Sequence, residues 1–419
     1  MKNKTLFRVF LSSSLGTILE WYDFSLFAFL TPLLAIHFFP QEDKFTGFIL
    51  IYAIFAIGFF VRPIGAALFG HMGDRIGRKK TLIVSILLMA IPTFLIGLLP
   101  TYQQIGIWAP LLLILLRLCQ GLSVGGESTG ALLFVIESGD YKNRGFLGAS
   151  IWAVVGVGML LGSFAASIAI SYSHYSWSWR VPFLLGIITG IVGYFVRKRT
   201  PETILFQNAV QQGKLLKFPL YQGITEHKIT LLRIIGIYAL SAMITYLIFV
   251  FMPTYAANII GLPLSSVSII STIGLACVTI LVPVGGYISD LIGRKKSLLW
   301  PACGFLLMSY PLFVLITQGT LQSFIIAEGV FILLAGWFQG SISTAVIEQL
   351  PTSVRFSVSA VGYNIAYSIF GGTAPIVASY LVKLTNNNAA PGLYLSCGAL
   401  FAVLVIVSKM RETRHLSLA

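Results

Sequence analysis

The sequence predicts an all-α integral membrane protein, with twelve transmembrane helices arranged as two six-helix pseudo-repeats. Three observations carry that prediction. Of 419 residues only 10% are charged and 57% are hydrophobic, whereas a soluble domain carries about 25% charged residues. Most of the chain falls in apolar runs of about 20 residues or more, the length that crosses a hydrocarbon core of about 30 Å as helix. A charged loop motif also occurs twice, once in each half. Soluble enzymes and secreted scaffolds are excluded. Cys119, Cys277, Cys303 and Cys397 lie far apart inside apolar runs, with no spacing that suggests a disulfide framework or a metal site. No cofactor is expected.

Turn and charge punctuation divides the apolar runs at 9–37, 45–70, 81–99, 109–136, 145–170, 180–197, 231–257, 266–287, 297–317, 321–346, 356–382 and 391–408. The longest polar gap, 198–230, is too short for an independent domain. It separates an N-terminal six-helix half, 1–197, from a C-terminal half, 231–419. Orientation follows from the 28 Lys and Arg residues. With a cytoplasmic N-terminus, only Lys44, Arg180 and Lys383 lie outside, and Arg62 and Arg117 fall within spans. The rest, including Lys2, Lys4, Arg197, Lys198, Arg199, Lys214 and Lys409, lie inside. That asymmetry puts both termini in the cytoplasm and accounts for the formal charge of +14 by topology rather than by nucleic-acid binding, which would need a basic patch on a folded surface. The first run is too long for a cleaved signal peptide, carries acids at its middle and lacks a small-residue cleavage site.

The repeat supports two halves. After the second span comes Gly70-His-Met-Gly-Asp74-Arg75-Ile-Gly77-Arg78-Lys79-Lys80, and after the eighth Gly286-Tyr-Ile-Ser-Asp290-Leu-Ile-Gly293-Arg294-Lys295-Lys296. Glu137 and Arg144 after the fourth span recur with the same spacing as Glu348 and Arg355 after the tenth. Parallel repeats of this kind are a transporter signature.

On these residues the chain resembles the major facilitator superfamily, whose loop signature the first copy matches in full; in the second, Leu291 replaces the arginine. Within it the sequence resembles the metabolite:proton symporter branch, which includes proline/betaine, α-ketoglutarate, citrate and shikimate transporters. The matching stretches are Glu20-Trp-Tyr-Asp23-Phe, Arg62-Pro-Ile-Gly65, Arg117-x-x-Gln120-Gly121 with Gly125-Gly126-Glu127, Trp179-Arg180-Val-Pro182-Phe183, Met252-Pro253-Thr254-Tyr255, and Tyr363-Asn364 with Gly371-Gly372. The resemblance implies the major facilitator fold and a proton-coupled secondary transporter in a bacterial inner membrane. Such a protein would act as a monomer on a small organic solute, with protons and membrane lipid as its other partners. A drug exporter is the less favoured alternative, since Gly162 is followed by Ser163 where antiporters carry Gly-Pro. The five histidines have no catalytic or ligand spacing, so an embedded enzyme is not expected.

Charged residues at a helix centre cost about 2.5–3.5 kcal/mol each, which makes Glu20, Asp23, Arg62, Arg117 and Glu127 functional candidates. Counted along helices at about 1.5 Å per residue, Glu20, Arg62 and Glu127 are expected to form one inner layer, with Asp23 and Arg117 meeting nearer the middle. Two acids sharing Arg62 would leave one carboxylate over. Glu127 is the expected proton carrier, with Asp23 next and Glu20 held by the arginine. Glu328 in the tenth span is read as lying nearer the outer interface rather than as a second protonatable site. Asp74, Arg75, Arg78, Asp290 and Arg294 are expected to gate, with the Glu137/Arg144 and Glu348/Arg355 pairs as partners. Gly121, Gly125, Gly156, Gly158 and Gly162 give small-residue faces for close helix approach.

Arg62 is the candidate for a substrate carboxylate, with Gln120 on the same helix face as Arg117. Trp21, Tyr22, Trp152, Tyr246, Tyr255, Tyr363 and Tyr367 could offer aromatic faces to a quaternary ammonium, and Asn364 lies beside them in sequence. One arginine beside several aromatics favours a zwitterion or monocarboxylate, such as proline or betaine, over a di- or tricarboxylate. The short tail after the twelfth span argues against a C-terminal osmosensing coiled coil.

Overall fold

A computed structural model describes residues 2–39, 44–213, 215–416 and 418 of the chain. Lys214, counted among the inner charges, lies outside the described residues, and only the backbone is described at Lys2, Lys4, Lys44 and Lys409.

All the regular structure among these residues is helical. The membrane spans are α1 (Lys2–Phe29), α2 (Lys44–Ile76), α3 (Arg78–Leu98), α4 (Trp108–Ser138), α5 (Arg144–Ser171), α6 (Arg180–Arg199), α7 (Lys228–Ile244), α8 (Leu264–Ile292), α9 (Arg294–Ile316), α10 (Leu321–Ile347), α11 (Arg355–Ala366) and α12 (Ala390–Lys409). Among the described residues, ten of these are individually long and apolar enough to cross a bilayer once α7 and α11 are counted with their continuations. α1 is extended by Thr31–Phe38, which starts with a proline in its first turn after a break at Leu30.

Two departures from the expected spans bear on function. α2 and α8 continue past their apolar stretches, so Asp74 and Asp290 sit on the last helical turn rather than in a loop. Each helix then stops at a glycine, Gly77 with φ 108° and Gly293 with φ 101°. Side chains with a Cβ rarely adopt that backbone, so the glycine in each signature is what turns the chain tightly into α3 and α9. Second, α7 and α11 both pass into a π-helical turn, Thr245–Phe251 and Tyr367–Gly371, before continuing as Met252–Asn258 and Ala374–Thr385. π-Turns in helices recur at functional sites.

The chain forms two compact units, one of 1–138, 154–221 and 352–361, the other of 139–153, 222–351 and 362–419. The expected division at 198–230 is thus modified: the first residues of α5 belong to the second unit, and those of α11 to the first. The linker holds two short helices, Ile204–Gln211 and Pro219–Glu226. Within the first unit α2 packs on α4, α3 on α6 and α4, and α1 on α6; within the second α8 packs on α10, α9 on α12 and α10, and α7 on α12. The same pairings recur at equivalent places, as a duplicated six-helix plan requires. α2 and α4 approach backbone to backbone, because a Cβ on Gly65 would run into Leu122 and one on Gly125 into Arg62 and Ala66. Gly285 and Gly340 do the same for α8 and α10.

Candidate functional site

Each unit holds a buried ionic knot built on its copy of the loop signature. In the first, the Asp74 carboxylate accepts the backbone N–H groups of Phe356 (3.2 Å) and Ser357 (2.8 Å) and the Ser357 hydroxyl (2.8 Å). These N–H groups open α11, so the anion sits where the helix dipole is positive. Arg78 pairs with Asp74 at 3.1 Å and with Glu137 at 3.2 Å, and Arg355 reaches Glu137 at 3.0 Å. The Thr203 hydroxyl donates to Glu137 at 3.0 Å, and Glu202 accepts the N–H of Lys79 at 3.0 Å. Burial raises Glu202 above the usual carboxylate range, and the N–H donors of Thr203 and Lys79 offset part of that.

The second unit repeats the pattern. Asp290 accepts the N–H groups of Gly145 and Phe146, both at 2.9 Å, at the start of α5. Arg294 pairs with Asp290 at 2.7 Å and Glu348 at 3.0 Å, with Arg144 at 3.8 Å from Glu348. The Thr413 hydroxyl donates to Glu348 at 2.6 Å. Burial pushes Glu412 up, but the N–H groups of Arg294, Arg414, Lys295 and Thr413 outweigh it and hold the carboxyl below its ordinary range. Glu202-Thr203 and Glu412-Thr413 are therefore a third repeated pair, visible in the sequence as an identical dipeptide after the sixth and twelfth spans.

Glu137 and Glu348 do partner the signature arginines Arg78 and Arg294, and the arginines that follow them in sequence cross over, Arg355 to Glu137 and Arg144 to Glu348, because a break between α4 and α5 and another between α10 and α11 separate each glutamate from its own following arginine. One expectation is corrected. Arg75 is exposed and makes no ion pair among the described residues; Arg78, one turn beyond Asp74, takes that place.

Deeper in the first unit, Arg117 meets Asp23 at 2.8 Å, and Asp23 also accepts from the Thr93 hydroxyl (3.0 Å) and the Gln120 amide (2.7 Å). The guanidinium of Arg117 lies 4.1 Å from the centre of the Phe27 ring. Glu20 accepts from the Ser128 hydroxyl at 2.8 Å to each oxygen and feels the charge of Arg62. Arg62 is set over Phe24, 5.7 Å from the ring centre. Glu20, Asp23, Arg62, Arg117 and Gln120 line a cavity of about 20 Å³, which is room for a single water.

Glu20 lies within electrostatic range of both Arg62 and Glu127, as the expected inner layer requires, but a second cation joins that layer. Glu127 is gripped by Arg197, which reaches in from the end of α6, and by the Ser85 hydroxyl. Arg197 also donates to the Leu82 carbonyl. Gly16 makes room, since a Cβ there would collide with both partners. Arg197 is thus a buried partner rather than one of the cytoplasmic flanking charges, and the argument that one acid of the triad is left over falls. Among the aromatics, the Tyr22 hydroxyl donates to the Pro182 carbonyl at 2.6 Å within an apolar cluster, and that of Tyr255 to the Asn388 carbonyl at 2.6 Å. Both tether helices by their hydroxyls. Trp21 packs on Phe24, 5.2 Å between ring centres.

The other aromatics gather in the second unit. Tyr363 lies 5.8 Å from Trp152, 5.2 Å from Tyr238 and 4.4 Å from Tyr367, and Tyr367 lies 6.4 Å from Tyr246. Asn364 is buried beside Tyr363. A neutral polar chain adjoins the rings: the Tyr367 and Ser241 hydroxyls are 2.9 Å apart, Ser241 donates to the Gln339 carbonyl oxygen at 2.5 Å, and the Gln339 amide donates to Thr245 at 3.0 Å. Both π-turns start at this cluster, which carries no formal charge. Glu328 is also buried, two turns into α10, which begins at Leu321 as expected. Among the described residues no group of His, Cys, Asp or Glu has a metal-binding arrangement.

A duplicated twelve-helix bundle with buried ion pairs and repeated signature knots defines a secondary transporter, not an enzyme. The chain belongs to the Major Facilitator Superfamily: the model of that family matches residues 13–375 and 234–417. It is 36% identical to a "Putative proline/betaine transporter" of Staphylococcus aureus strain MSSA476, over 94% of this chain and 86% of the relative. It is 32% identical to the proline/betaine transporter of Salmonella typhimurium, over 96% and 83%. Among solved structures it resembles the proton:xylose symporter XylE bound to 6-bromo-6-deoxy-D-glucose, with a TM-score of 0.79 at 17% identity, covering 100% of this chain and 98% of that one. The protein is a multi-pass membrane protein.

Proposed function

We propose that the protein imports a small zwitterion or monocarboxylate of the proline or betaine kind, driven by the proton gradient across a bacterial cytoplasmic membrane. In this reading it works as a monomer with both termini inside. The observation that carries the reading is the uncharged cluster of Trp152, Tyr238, Tyr246, Tyr363 and Tyr367 with Ser241 and Gln339. Aromatic faces attract an ammonium without needing a counter-ion, which suits a solute whose net charge is zero. Arg62, on the cavity of the first unit, is the group to receive a carboxylate bidentately. A di- or tricarboxylate would call for further cations, and Arg117 and Arg197 are committed to Asp23 and Glu127. Names of the relatives point the same way.

The coupling proton in the first unit is assigned to Glu20 rather than Glu127. Glu127 has a bidentate arginine and a hydroxyl, which stabilise the anion; Glu20 has one serine hydroxyl and the charge of Arg62, with the like charge of Glu127 acting against it, and lies on the cavity. The knots at Asp74 and Asp290 act as locks, each holding a helix N-terminus in one conformation and releasing it in the other. The test is uptake of labelled proline and glycine betaine into proteoliposomes, with citrate and α-ketoglutarate as competitors. Accumulation should need an inward proton gradient and vanish with an uncoupler. Uptake unchanged by collapsing the gradient refutes symport, and competition by the polycarboxylates alone refutes the solute class.

A further inference from the structure

Glu328 is used by none of this. Its side chain is 1% exposed, and neither carboxyl oxygen has a hydrogen-bond partner among the described residues. Gly274 of α8 closes over it, so that a Cβ there would come within 3.1 Å of Oε1, and Ile332 packs against the same glycine. The neighbouring Ser271 hydroxyl is likewise without a well-formed bond.

Among the described residues no cation is placed to balance a charge here. The only other charge on α8 is Asp290, on the order of 28 Å of helix away from Ser271. α10 carries no charge besides Glu328. α9 has Arg294, Lys295 and Lys296, and α7 has Lys228 and Arg233, all in the first two turns at the cytoplasmic end in the proposed orientation. The remaining titratable groups on these helices and on Met252–Asn258 are cysteines and tyrosines. A carboxylate anion buried with no cation and only the Ser271 hydroxyl within reach is not sustainable, whereas a neutral carboxylic acid in that place is.

We propose that Glu328 is a second proton-binding site of the transport cycle, holding its proton in the conformation described and releasing it when α8 and α10 part enough to admit water. The role in the cycle rests on the proton-symport reading; the bound proton does not. Infrared difference spectra of wild type minus Glu328→Gln, in proteoliposomes at pH 7, should show the C=O band of a protonated carboxyl. Glu328→Gln copies the neutral acid in shape, so it should fold and exchange labelled proline across the membrane as wild type does. Its gradient-driven accumulation should fall by about tenfold or more, because exchange needs no net proton movement while accumulation does. A carboxylate band at pH 7, or a smaller loss of accumulation, overturns the proposal. If wild-type uptake ignores an uncoupler, the symport reading has failed and the cycle role with it, while the infrared band still reports whether the proton is there.

Discussion

Replacing Arg197 by glutamine would strand Glu127 as an anion in the bilayer-spanning part of the first unit. The two side chains are 1% and 2% exposed, so no water reaches the carboxylate to take over from the guanidinium. Breaking a buried pair by removing one partner costs about 3–5 kcal/mol, roughly two to three and a half decades in a folding equilibrium. Glu127→Gln in the same chain removes the charge that was stranded, and its amide can still accept from Ser85. The double variant should therefore recover most of the loss, with a coupling energy of about 2 kcal/mol or more. The assay is thermal unfolding of the purified protein in detergent, comparing wild type, both single variants and the double. Arg197→Gln should melt lowest of the four. If Arg197→Gln melts with wild type, or the two single losses simply add in the double variant, Arg197 is a flanking charge after all and Glu127 must be balanced otherwise.

Arg62→Lys keeps the charge but loses the planar fork, so uptake should fall sharply at normal membrane expression; near-normal uptake would reduce Arg62 to a charge-balancing residue. Asp74→Asn weakens a carboxylate that accepts two N–H groups and a hydroxyl. At about 1.5–3 kcal/mol for a hydrogen bond to a charged group, the conformational equilibrium and with it turnover should shift by about tenfold or more while substrate affinity changes little, and weaker binding at wild-type turnover would contradict a lock. Glu412 is held below its ordinary value of 4.5, so the stability it lends is present above that value and is lost as the pH falls below it. Tail proteolysis of membrane vesicles should accordingly rise below about pH 4.5, and Glu412→Gln should cleave readily at neutral pH too; an acid response unchanged by that substitution would locate the effect elsewhere.

The spans, the duplication and the intramembrane charges are legible in the sequence because charges are so sparse in apolar runs that each one is informative. Asp23 and Arg117 could be matched by depth for that reason. Arg197 escaped because Arg-Lys-Arg at a helix end looks like interfacial anchoring. Its phase carried the signal, since Pro182, Phe183, Gly186, Gly190, Gly193 and Arg197 make up the buried face of α6. Gln339 and Ser241 escaped because an uncharged amide or hydroxyl in a membrane helix costs little to place and so stands out little. That Arg355 reaches Glu137 and Arg144 reaches Glu348 lay beyond sequence reading for a different reason: spacing suggests neighbours within a segment, and these bonds join segments far apart in the chain.

The allocation of 352–361 to the first unit and 139–153 to the second has a consequence for how the protein is made. A ribosome that has delivered the first six helices has not delivered Phe356 or Ser357, so Asp74 emerges with Arg78 beside it and none of its three later donors. The second unit, in turn, cannot use the start of α5 until α8 has been synthesised to Asp290. Neither half is completed in the order in which it is translated. The nascent chain must wait in the insertion machinery or in lipid with unfinished polar groups until α11 arrives. A fragment ending at the linker would be a poor substitute for the first unit, whereas the two halves supplied as separate polypeptides could complete one another.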